Sequence, residues 1–133
     1  MQKREVRAIP KILLVEDDNI SMLLLKNILK SEFCSIDVAN NGEDGLKLLK
    51  NALDTDEPYD IVYADHHMPI LTGGEMLKLY SSLEKEREEK KTKTVLLSGY
   101  IDAEKYRNVS DYMARKPFRK KDIISTFVDA ISA

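Results

Sequence analysis

The stretch IVYADHHMP, residues 61–69, constrains the fold more than any other part of this sequence. Its first four residues are apolar, which suits a buried strand, and the run ends at Asp65. A carboxylate that follows a buried strand lies at the carboxyl edge of a sheet, where α/β proteins place their chemical groups. We therefore predict that Asp65 belongs to a functional site.

Three other predicted strands also end in polar or charged residues. An acidic cluster follows the first strand, a hydroxyl follows the fourth, and an ammonium follows the fifth. The residues concerned are Glu16, Asp17, Asp18, Ser98 and Lys116. Carboxylates, a hydroxyl and an ammonium at one sheet edge indicate a site for a hard cation and a phosphoryl group, with Asp65 as the nucleophile.

The composition fits a single domain. At 133 residues the chain is long enough for one ordinary core. The formal charge of −2, from 21 basic and 23 acidic residues, gives no general attraction to nucleic acid or membranes, and we expect neither as a direct partner. No apolar stretch reaches the roughly 18 residues of a membrane span, and no hydrophobic signal segment begins the chain. The lone cysteine, Cys34, fits a reducing compartment, so we predict a cytoplasmic protein.

Hydrophobic patterns along the chain predict alternating strands and helices. Residues 1–10 are polar and mostly basic and predict an N-terminal tail, with the domain at 11–133. Strands are predicted at 11–15, 34–38, 60–64, 94–97 and 111–115. Helices are predicted at 19–31, at 43–53, after Gly73-Gly74 and around 123–131, with room for only a short helix near 103–109. This alternation predicts a parallel sheet covered on both faces.

Three local interpretations accompany this assignment. The first helix has four apolar residues with the spacing of one face, namely Ile20, Leu23, Leu24 and Ile28. Cys34 is interpreted as core filling in the second strand. The charged run at 84–93 is interpreted as a solvated helix end and loop.

The order of the polar residues resembles that of the receiver domain of two-component response regulators. The match runs from Lys11 to about Ser132 and includes Met68-Pro69 after the central aspartate and Lys116-Pro117 after the fifth strand. The resemblance implies an α/β fold of three layers, with a doubly wound, parallel, five-stranded sheet of order 2-1-3-4-5, as in flavodoxin-like proteins. The short interval between the last two strands implies a shortened fourth helix.

The resemblance also implies a metal site made of oxygen ligands. Asp17 and Asp65 would bind the ion through their side chains, Glu16 through a water molecule, and His67 through its main-chain carbonyl. Three carboxylates held close together repel one another unless a cation neutralises them, and oxygen-rich sites of this kind suit Mg²⁺. We therefore expect Mg²⁺ or Mn²⁺.

In receiver domains, the aspartate at the position of Asp65 accepts a phosphoryl group. By resemblance, Lys116 would pair with this carboxylate and then with a phosphoryl oxygen, and the Ser98 hydroxyl would donate to another. The family usually has a cis peptide bond at the matching Lys-Pro pair. Gly73 matches a glycine of the loop after the phosphorylated aspartate, and Gly99 would keep the approach to the site open.

The resemblance implies a function in a phosphorelay. The donor would be a phosphohistidine on a histidine kinase or a histidine phosphotransfer protein, and the signal would leave through contacts with a downstream effector protein. The chain would catalyse its own phosphorylation and slow autodephosphorylation, so it would not be an enzyme in the turnover sense. A phosphorylation-dependent dimer is left open, as is the choice between a stand-alone regulator and a fragment of a hybrid kinase or longer regulator.

Each site assignment has a simpler structural alternative. Asp17 and Asp18 could cap the first helix, and we favour that role for Asp18 because only the first two acidic residues match the family pair. Lys116 could be a surface lysine, and Ser98 a loop hydroxyl. A zinc site at the two histidines is disfavoured, because adjacent residues leaving a strand point to opposite sides and the sequence has no further histidine.

Two other functions fit parts of the pattern. A phosphatase of the haloacid dehalogenase type also uses a strand-end aspartate and Mg²⁺, but it needs a larger chain and an Asp-x-Asp pattern whose second position here is His67. A pseudo-receiver would keep the fold and lose phosphorylation. This alternative gains support from Met113, which stands where the family usually has an aromatic switch, while Tyr112 is one residue off and would face the other side of the sheet.

Overall fold

The computed structural model describes residues 9–90, 92–99, 105–106 and 108–133 of the chain. The strands of the sheet are β1 (Lys11–Val15), β2 (Ser35–Ala39), β3 (Ile61–Asp65), β4 (Lys93–Ser98) and β5 (Tyr112–Arg115). The helices are α1 (Asn19–Leu29), α2 (Gly42–Asp54), α3 (Gly73–Glu86) and the C-terminal helix (Lys120–Ser132). Neighbouring strands are parallel and follow the order β2-β1-β3-β4-β5. The predicted α/β fold and its strand order are confirmed.

Helices cover both faces of this sheet. α1 and the C-terminal helix pack on one face, and α2 and α3 pack on the other. Along β1, Ile12 and Leu14 join the first core cluster, while Leu13 and Val15 join the second. All four side chains are fully buried, as expected for a central parallel strand. None of the helices in the described part of the chain is long and apolar enough to cross a lipid bilayer.

Three predictions fall partly on residues that the structure does not describe, and one of them is the charged run at 84–93, of which residue 91 lies outside the described residues. Residues 1–8 of the predicted tail lie outside the described residues, so the tail stays a prediction. Residues 100–104 and 107 also lie outside them, and they include part of the predicted short fourth helix. The described residues of that helix, 105–106 and 108–109, lie in turns.

The faces of β5 agree with the alternation expected from the sequence. Tyr112 packs against the core cluster of α1 and the C-terminal helix, whereas Met113 packs against the cluster of α2 and α3. The two side chains therefore lie on opposite faces of the sheet. Met113 occupies the position where receiver domains usually have an aromatic residue, and its side chain lies on the face of the sheet that α2 and α3 cover.

The buried face of α1 differs from the predicted one. Its buried residues are Leu25, Ile28 and Leu29. Ile20, Leu23 and Leu24 are instead 79%, 58% and 47% exposed. The prediction was right for Ile28 and wrong for the other three residues. Both sets have the same i, i+3, i+4 spacing, and periodicity alone cannot choose between two overlapping stripes.

Cys34 lies just before β2 and not within it. Its thiol is half-buried, packs against the α1 side of the core, and lies 3.5 Å from the carbonyl oxygen of Leu29. Burial raises the pKa of this thiol. The predicted start of the strand was therefore one residue too early, but the interpretation of Cys34 as a packed side chain agrees with its surroundings.

The charged run at 84–93, which was predicted to be a solvated helix end and loop, is only partly solvated. Glu84 is 3% exposed, and its carboxylate accepts a hydrogen bond of 3.1 Å from the backbone N–H of Thr92. The Tyr80 hydroxyl lies 2.6 Å from Thr92 Oγ1. Lys90 Nζ donates to Asp111 Oδ2 at 2.8 Å and to the Thr92 carbonyl oxygen. These hydrogen bonds give the buried polar groups the partners that they need. The network also joins the end of α3 to the amino ends of β4 and β5.

The charge of Asp111 contributes to stability through this network. Burial alone would raise its pKa, but hydrogen bonds from Lys90 and the backbone N–H of Thr94 hold the pKa below its usual value. A carboxylate with a lowered pKa stabilises the fold above its unfolded pKa of about 3.9, and the contribution is lost as the pH falls further. We predict that Asp111→Asn lowers the free energy of unfolding by about 1–3 kcal/mol at neutral pH, and that the difference shrinks in acid.

Urea unfolding at several pH values measures this effect. Asp129→Asn is the matched control, because Asp129 is exposed on the C-terminal helix and its replacement should change the free energy of unfolding by no more than about 0.5 kcal/mol. A deficit of Asp111→Asn that stays constant from neutral to acidic pH would contradict the role of the charge.

Candidate functional site

The acidic residues that end β1 and β3 meet at the carboxyl edge of the sheet. The two strands pair in register, with Val15 beside Ala64, so the residues that follow, Glu16 and Asp65, are neighbours. One carboxylate oxygen from each of Glu16, Asp17 and Asp65 lies within 4.8 Å of the others. We name these three side chains the acidic cluster. Glu16 and Asp65 are 1% and 2% exposed, while Asp17 is exposed.

Lys116 contacts the acidic cluster from the end of β5. Its Nζ donates to Glu16 Oε1 and to Asp65 Oδ1, at 3.1 Å each. Its backbone N–H donates to the carbonyl oxygen of Ser98 at 3.0 Å, which joins the ends of β4 and β5. The Lys116-Pro117 peptide bond is cis, as the resemblance implies. Lys116 is thus a partner of the acidic cluster and not an isolated surface lysine.

Burial and mutual repulsion determine the charges of this site. Burial raises the pKa of Glu16 to about 7, the neighbouring Asp65 carboxylate adds to the rise, and Lys116 opposes it. Burial alone would lower the pKa of Lys116, but the Asp65 and Glu16 carboxylates raise it. One ammonium shares the site with three carboxyl groups. An all-oxygen site with more acidic than basic groups suits a hard divalent cation.

Asp18 stands apart from the acidic cluster. Its Oδ2 accepts a hydrogen bond of 2.8 Å from the backbone N–H of Ser21 at the start of α1. This backbone hydrogen bond lowers the pKa of Asp18. The interpretation of Asp18 as a helix cap is confirmed. Its own backbone N–H donates to Glu16 Oε2 at 3.2 Å, which helps to hold that carboxylate in place.

Ser98 and His67 lie at the same edge of the sheet. Ser98 is the last residue of β4, is 2% exposed, and donates its Oγ hydrogen to the carbonyl oxygen of Gly99 at 3.0 Å. His67 donates its backbone N–H to Asp65 Oδ1 at 3.4 Å. A Cβ at Gly99 would meet no atom of the described residues within 4 Å. The roles of the Ser98 hydroxyl and the His67 carbonyl oxygen stay predictions.

The two histidines after Asp65 differ in burial. His66 is 4% exposed, whereas His67 is exposed. Their rings nevertheless meet edge to face, with centroids 5.2 Å apart, so the expectation that they point to opposite sides was wrong. Within the described residues, the acidic cluster is the one group of three or more histidines, cysteines or acids that could hold a metal ion. The acidic cluster, and not the histidine pair, is therefore the candidate metal site.

Sequence reasoning missed the surroundings of His66. Its Nδ1 accepts a hydrogen bond of 3.2 Å from the backbone N–H of Gly74, and its ring packs on Tyr106. The Gly73-Gly74 pair is the available signal in the sequence, because adjacent glycines allow a close approach of other groups to the backbone. Tyr106 carries no comparable signal, since its contact depends on how the chain between β4 and β5 folds.

Gly73 packs directly on the backbone of Asp65. A Cβ added at Gly73 would overlap the Asp65 carbonyl oxygen and lie 2.8 Å from the carbonyl carbon. Both are backbone atoms, so relief requires a shift of β3 or α3. We predict that Gly73→Ala lowers the free energy of unfolding, measured with urea, by about 1–3 kcal/mol.

Gly99→Ala is the matched control for this substitution. Among the described residues, no atom lies within 4 Å of the Cβ position of Gly99, and its φ is not positive, so the change in the free energy of unfolding should stay within about 0.5 kcal/mol. Equal stabilities of the Gly73 and Gly99 variants would contradict the close packing at Gly73.

A parallel sheet of order 2-1-3-4-5 with an acidic cluster and a lysine at its carboxyl edge defines a receiver-type α/β domain. The sequence model of the response regulator receiver domain matches residues 12–130. The chain belongs to the response regulator receiver domain family. The resemblance found in the sequence is thereby confirmed over nearly the whole chain.

Its curated relatives include histidine kinases and response regulators. Hybrid signal transduction histidine kinase B of Dictyostelium discoideum is 30% identical over 129 residues, which cover 87% of this chain and 6% of the kinase. The cell cycle response regulator CtrA of Brucella ovis is 32% identical over 120 residues, which cover 86% of this chain and 47% of the regulator. The chain therefore spans less than half the length of either relative.

Solved receiver domains share the fold at lower sequence identity. A response regulator receiver domain protein from Clostridium thermocellum has a TM-score of 0.77 at 20% identity, covering 93% of this chain and 95% of that one. A CheY-like receiver domain protein from Methanospirillum hungatei has a TM-score of 0.78 at 22% identity, covering 94% and 95%. These similarities establish the same flavodoxin-like architecture.

Proposed function

We propose that this chain is the phosphoacceptor domain of a two-component phosphorelay, with Asp65 as the phosphorylated residue. The donor is a phosphohistidine on a histidine kinase or a histidine phosphotransfer protein. The observation that carries the proposal is the position of the Asp65 carboxylate. It is buried at the end of β3, 3.1 Å from the Lys116 ammonium and within 4.8 Å of two further carboxylates. Membership of the receiver family supports the same assignment.

Mg²⁺ or Mn²⁺ is the proposed metal ion. The acidic cluster supplies only oxygen donors, which hard divalent cations prefer. Asp17 and Asp65 would bind the ion through carboxylate oxygens, Glu16 through a water molecule, and His67 through its main-chain carbonyl. The bound ion would neutralise charge on the acids and on the transferring phosphoryl group.

The transfer step exchanges one bond to phosphorus for another. A carboxylate oxygen of Asp65 attacks phosphorus and forms an O–P bond while the P–N bond to the donor histidine breaks. The imidazole leaves with the bonding electron pair and takes up a proton. Lys116 pairs with the carboxylate before transfer and with a phosphoryl oxygen afterwards. Ser98 donates to another phosphoryl oxygen, which requires its hydroxyl to leave the Gly99 carbonyl.

The same site returns the domain to its starting state. A water molecule attacks the phosphorus of the acyl phosphate, inorganic phosphate leaves, and the Asp65 carboxylate is regenerated. His67 is exposed at the rim, where it influences the access of water. We propose that the domain carries out both steps on itself and does not turn over a separate substrate.

Phosphotransfer from a radiolabelled phosphohistidine donor tests this function. We expect the label to move to this chain in the presence of Mg²⁺ and to stay on the donor when a chelator is present. A chain that takes no label from phosphohistidine donors or from acetyl phosphate would be a pseudo-receiver, which keeps the fold and lacks the chemistry.

An exposed apolar surface on α1 is the proposed docking site for the phosphohistidine donor. It consists of Ile20, Leu23 and Leu24, and α1 begins just after the acidic cluster. A donor that presents its histidine to Asp65 must lie against the elements around the acidic cluster. Apolar side chains exposed at that place stabilise such a complex when it forms.

Leu24→Gln tests this docking site. We predict about tenfold slower transfer from a phosphohistidine donor under subsaturating conditions, which corresponds to about 1.4 kcal/mol of lost binding free energy. Uptake from acetyl phosphate should be unchanged, because a small donor needs no protein surface. Leu79→Gln is the matched control, since Leu79 on α3 is 48% exposed and Leu24 is 47% exposed. Equal transfer rates for the two variants would contradict docking on α1.

Further partners follow from the proposed role. Phosphorylation would change the contacts of the domain with a downstream effector protein. We propose a cytoplasmic location, in keeping with the free thiol of Cys34. The formal charge of −2 gives no reason to propose nucleic acid or a membrane as a direct partner.

A further inference from the structure

Two aromatic rings pack together beside the backbone of the phosphorylation site. The ring of His66, which directly follows Asp65, lies 4.2 Å from the ring of Tyr106 between centroids, at an angle of 51°. His66 is 4% exposed, and Tyr106 packs against the core cluster of α2 and α3. Tyr106 belongs to the chain between β4 and β5, so the contact joins two separate parts of the domain.

Hydrogen bonds hold both the backbone and the ring of His66 at the end of β3. Its backbone N–H donates to the Leu97 carbonyl oxygen at 2.9 Å. Its carbonyl oxygen accepts hydrogen bonds from the backbone of Met68 at 3.0 Å and of Gly73 at 3.1 Å. Its Nδ1 accepts from the backbone N–H of Gly74 at 3.2 Å. A displacement of the end of β3 must therefore reach the His66 ring.

Gly74 makes room for both rings at the start of α3. A Cβ at this residue would lie 2.6 Å from Cδ1 of Tyr106 and 3.1 Å from Cε1 of His66. The shorter distance is one that real Cβ atoms essentially never show, so a side chain here would displace the Tyr106 ring. The contact between the rings thus depends on a glycine that lies next to the loop of the site.

A second contact joins the site to the same part of the chain. Ser98 Oγ donates to the Gly99 carbonyl oxygen at 3.0 Å. A serine hydroxyl has one hydrogen to donate, so a phosphoryl oxygen that takes it from Ser98 releases the Gly99 carbonyl. We name Gly99, residues 105–106 and residues 108–111 the connecting segment.

The far end of the connecting segment is anchored away from the site. Asp111 Oδ2 accepts from the backbone N–H of Thr94 at 2.9 Å, and the Asp111 backbone N–H donates to Thr94 Oγ1 at 2.9 Å. Thr94 lies near the amino end of β4, at the opposite edge of the sheet from Ser98. Within the described residues, the connecting segment is therefore held at Gly99, near the site, and at Asp111, and Tyr106 lies between these two residues in the sequence.

We propose that the contact between His66 and Tyr106 couples the phosphorylation state of Asp65 to the connecting segment, with Tyr106 as a positioning residue. The inference rests on the proposed function of Asp65. Phosphorylation takes the Ser98 hydroxyl from the connecting segment and shifts the end of β3. The Tyr106 ring then changes its contact with His66, and the connecting segment presents a different surface to a partner.

Fluorine NMR of the protein labelled with 3-fluorotyrosine tests the coupling. The chain has six tyrosines, and Tyr106→Phe identifies the signal of Tyr106 by removing it. We expect Mg²⁺ with beryllofluoride, a mimic of the phosphoryl group, to shift the Tyr106 signal. The signal of Tyr59 should not move, because Tyr59 lies before the amino end of β3 and its hydroxyl donates to Asp37. The shift should be absent in Asp65→Asn.

Two outcomes of this experiment separate the coupling from the function on which it rests. Binding of beryllofluoride, seen as a higher unfolding temperature, with an unchanged Tyr106 signal would overturn the coupling and leave the proposed function standing. No binding of beryllofluoride at all would overturn the proposed function, and the coupling with it.

The affinity for beryllofluoride gives an independent test, because coupling between two sites is reciprocal. If phosphorylation alters the Tyr106 contact, then Tyr106→Ala must change the affinity, and we expect a change of about fivefold or more. Tyr106→Phe keeps the ring and should restore the native affinity. A Tyr106→Ala variant that is less stable but binds beryllofluoride as the native chain does would show a purely structural role and overturn the coupling.

Discussion

Asp65→Asn is expected to take up no phosphoryl group from acetyl phosphate under conditions that label the native chain. An amide oxygen is a far weaker nucleophile than a carboxylate, so no O–P bond should form at this position. The variant should remain folded, because it removes one of three carboxylates that lie within 4.8 Å of one another and repel. The intact mass of the protein after incubation with acetyl phosphate and Mg²⁺ measures the uptake.

Asp18→Asn is the matched control for the loss of uptake. It makes the same chemical change nearby, at an exposed helix cap that lies outside the acidic cluster. Asparagine caps helices as well as aspartate does, so α1 should be unaffected. The control should be labelled like the native chain, whereas persistent labelling of Asp65→Asn would show that another residue is the acceptor.

Asp17→Asn is expected to remove the stabilisation of the fold by Mg²⁺. A ligand that binds only the folded state at about 100 times its Kd raises the free energy of unfolding by about 2.7 kcal/mol. Asp17 contributes an exposed carboxylate to the acidic cluster, so its replacement should cost little stability in the absence of the ion. Urea unfolding with and without Mg²⁺ measures the difference.

Urea unfolding with and without Mg²⁺ also tests the control variant. Asp18→Asn should keep the full stabilisation, because Asp18 caps α1 and belongs to no metal site among the described residues. Stabilisation of Asp17→Asn equal to that of the native chain would mean that the acidic cluster does not hold the ion through Asp17.

The sequence predicts the strands and the strand ends well, because these are local features. Short apolar runs bounded by polar residues mark parallel strands, and the carboxyl ends of such strands lie at one edge. That reasoning brings Glu16, Asp17 and Asp65 together, and it assigns Lys116 to the same place. The Lys116 ammonium lies 3.1 Å from a carboxylate oxygen of Glu16 and of Asp65, which agrees with that expectation.

The features that the sequence does not reveal depend on contacts between distant segments. Nothing near Glu84 indicates burial, because its partners Thr92 and Lys90 come into reach only when α3 packs beside β4. The contact of His66 with Tyr106 has the same origin. Periodicity also fails on α1, where apolar residues surround most of the helix and only packing selects the buried stripe.

Mapping the phosphorylated residue tests the central claim most directly. After transfer from a phosphohistidine donor, borohydride reduces an aspartyl phosphate to homoserine, and peptide mass spectrometry locates the product. We predict homoserine in place of Asp65 and at no other residue. Homoserine in place of Asp17, or phosphate on Ser98 with Asp65 unmodified, would contradict the assignment of Asp65 as the phosphoacceptor.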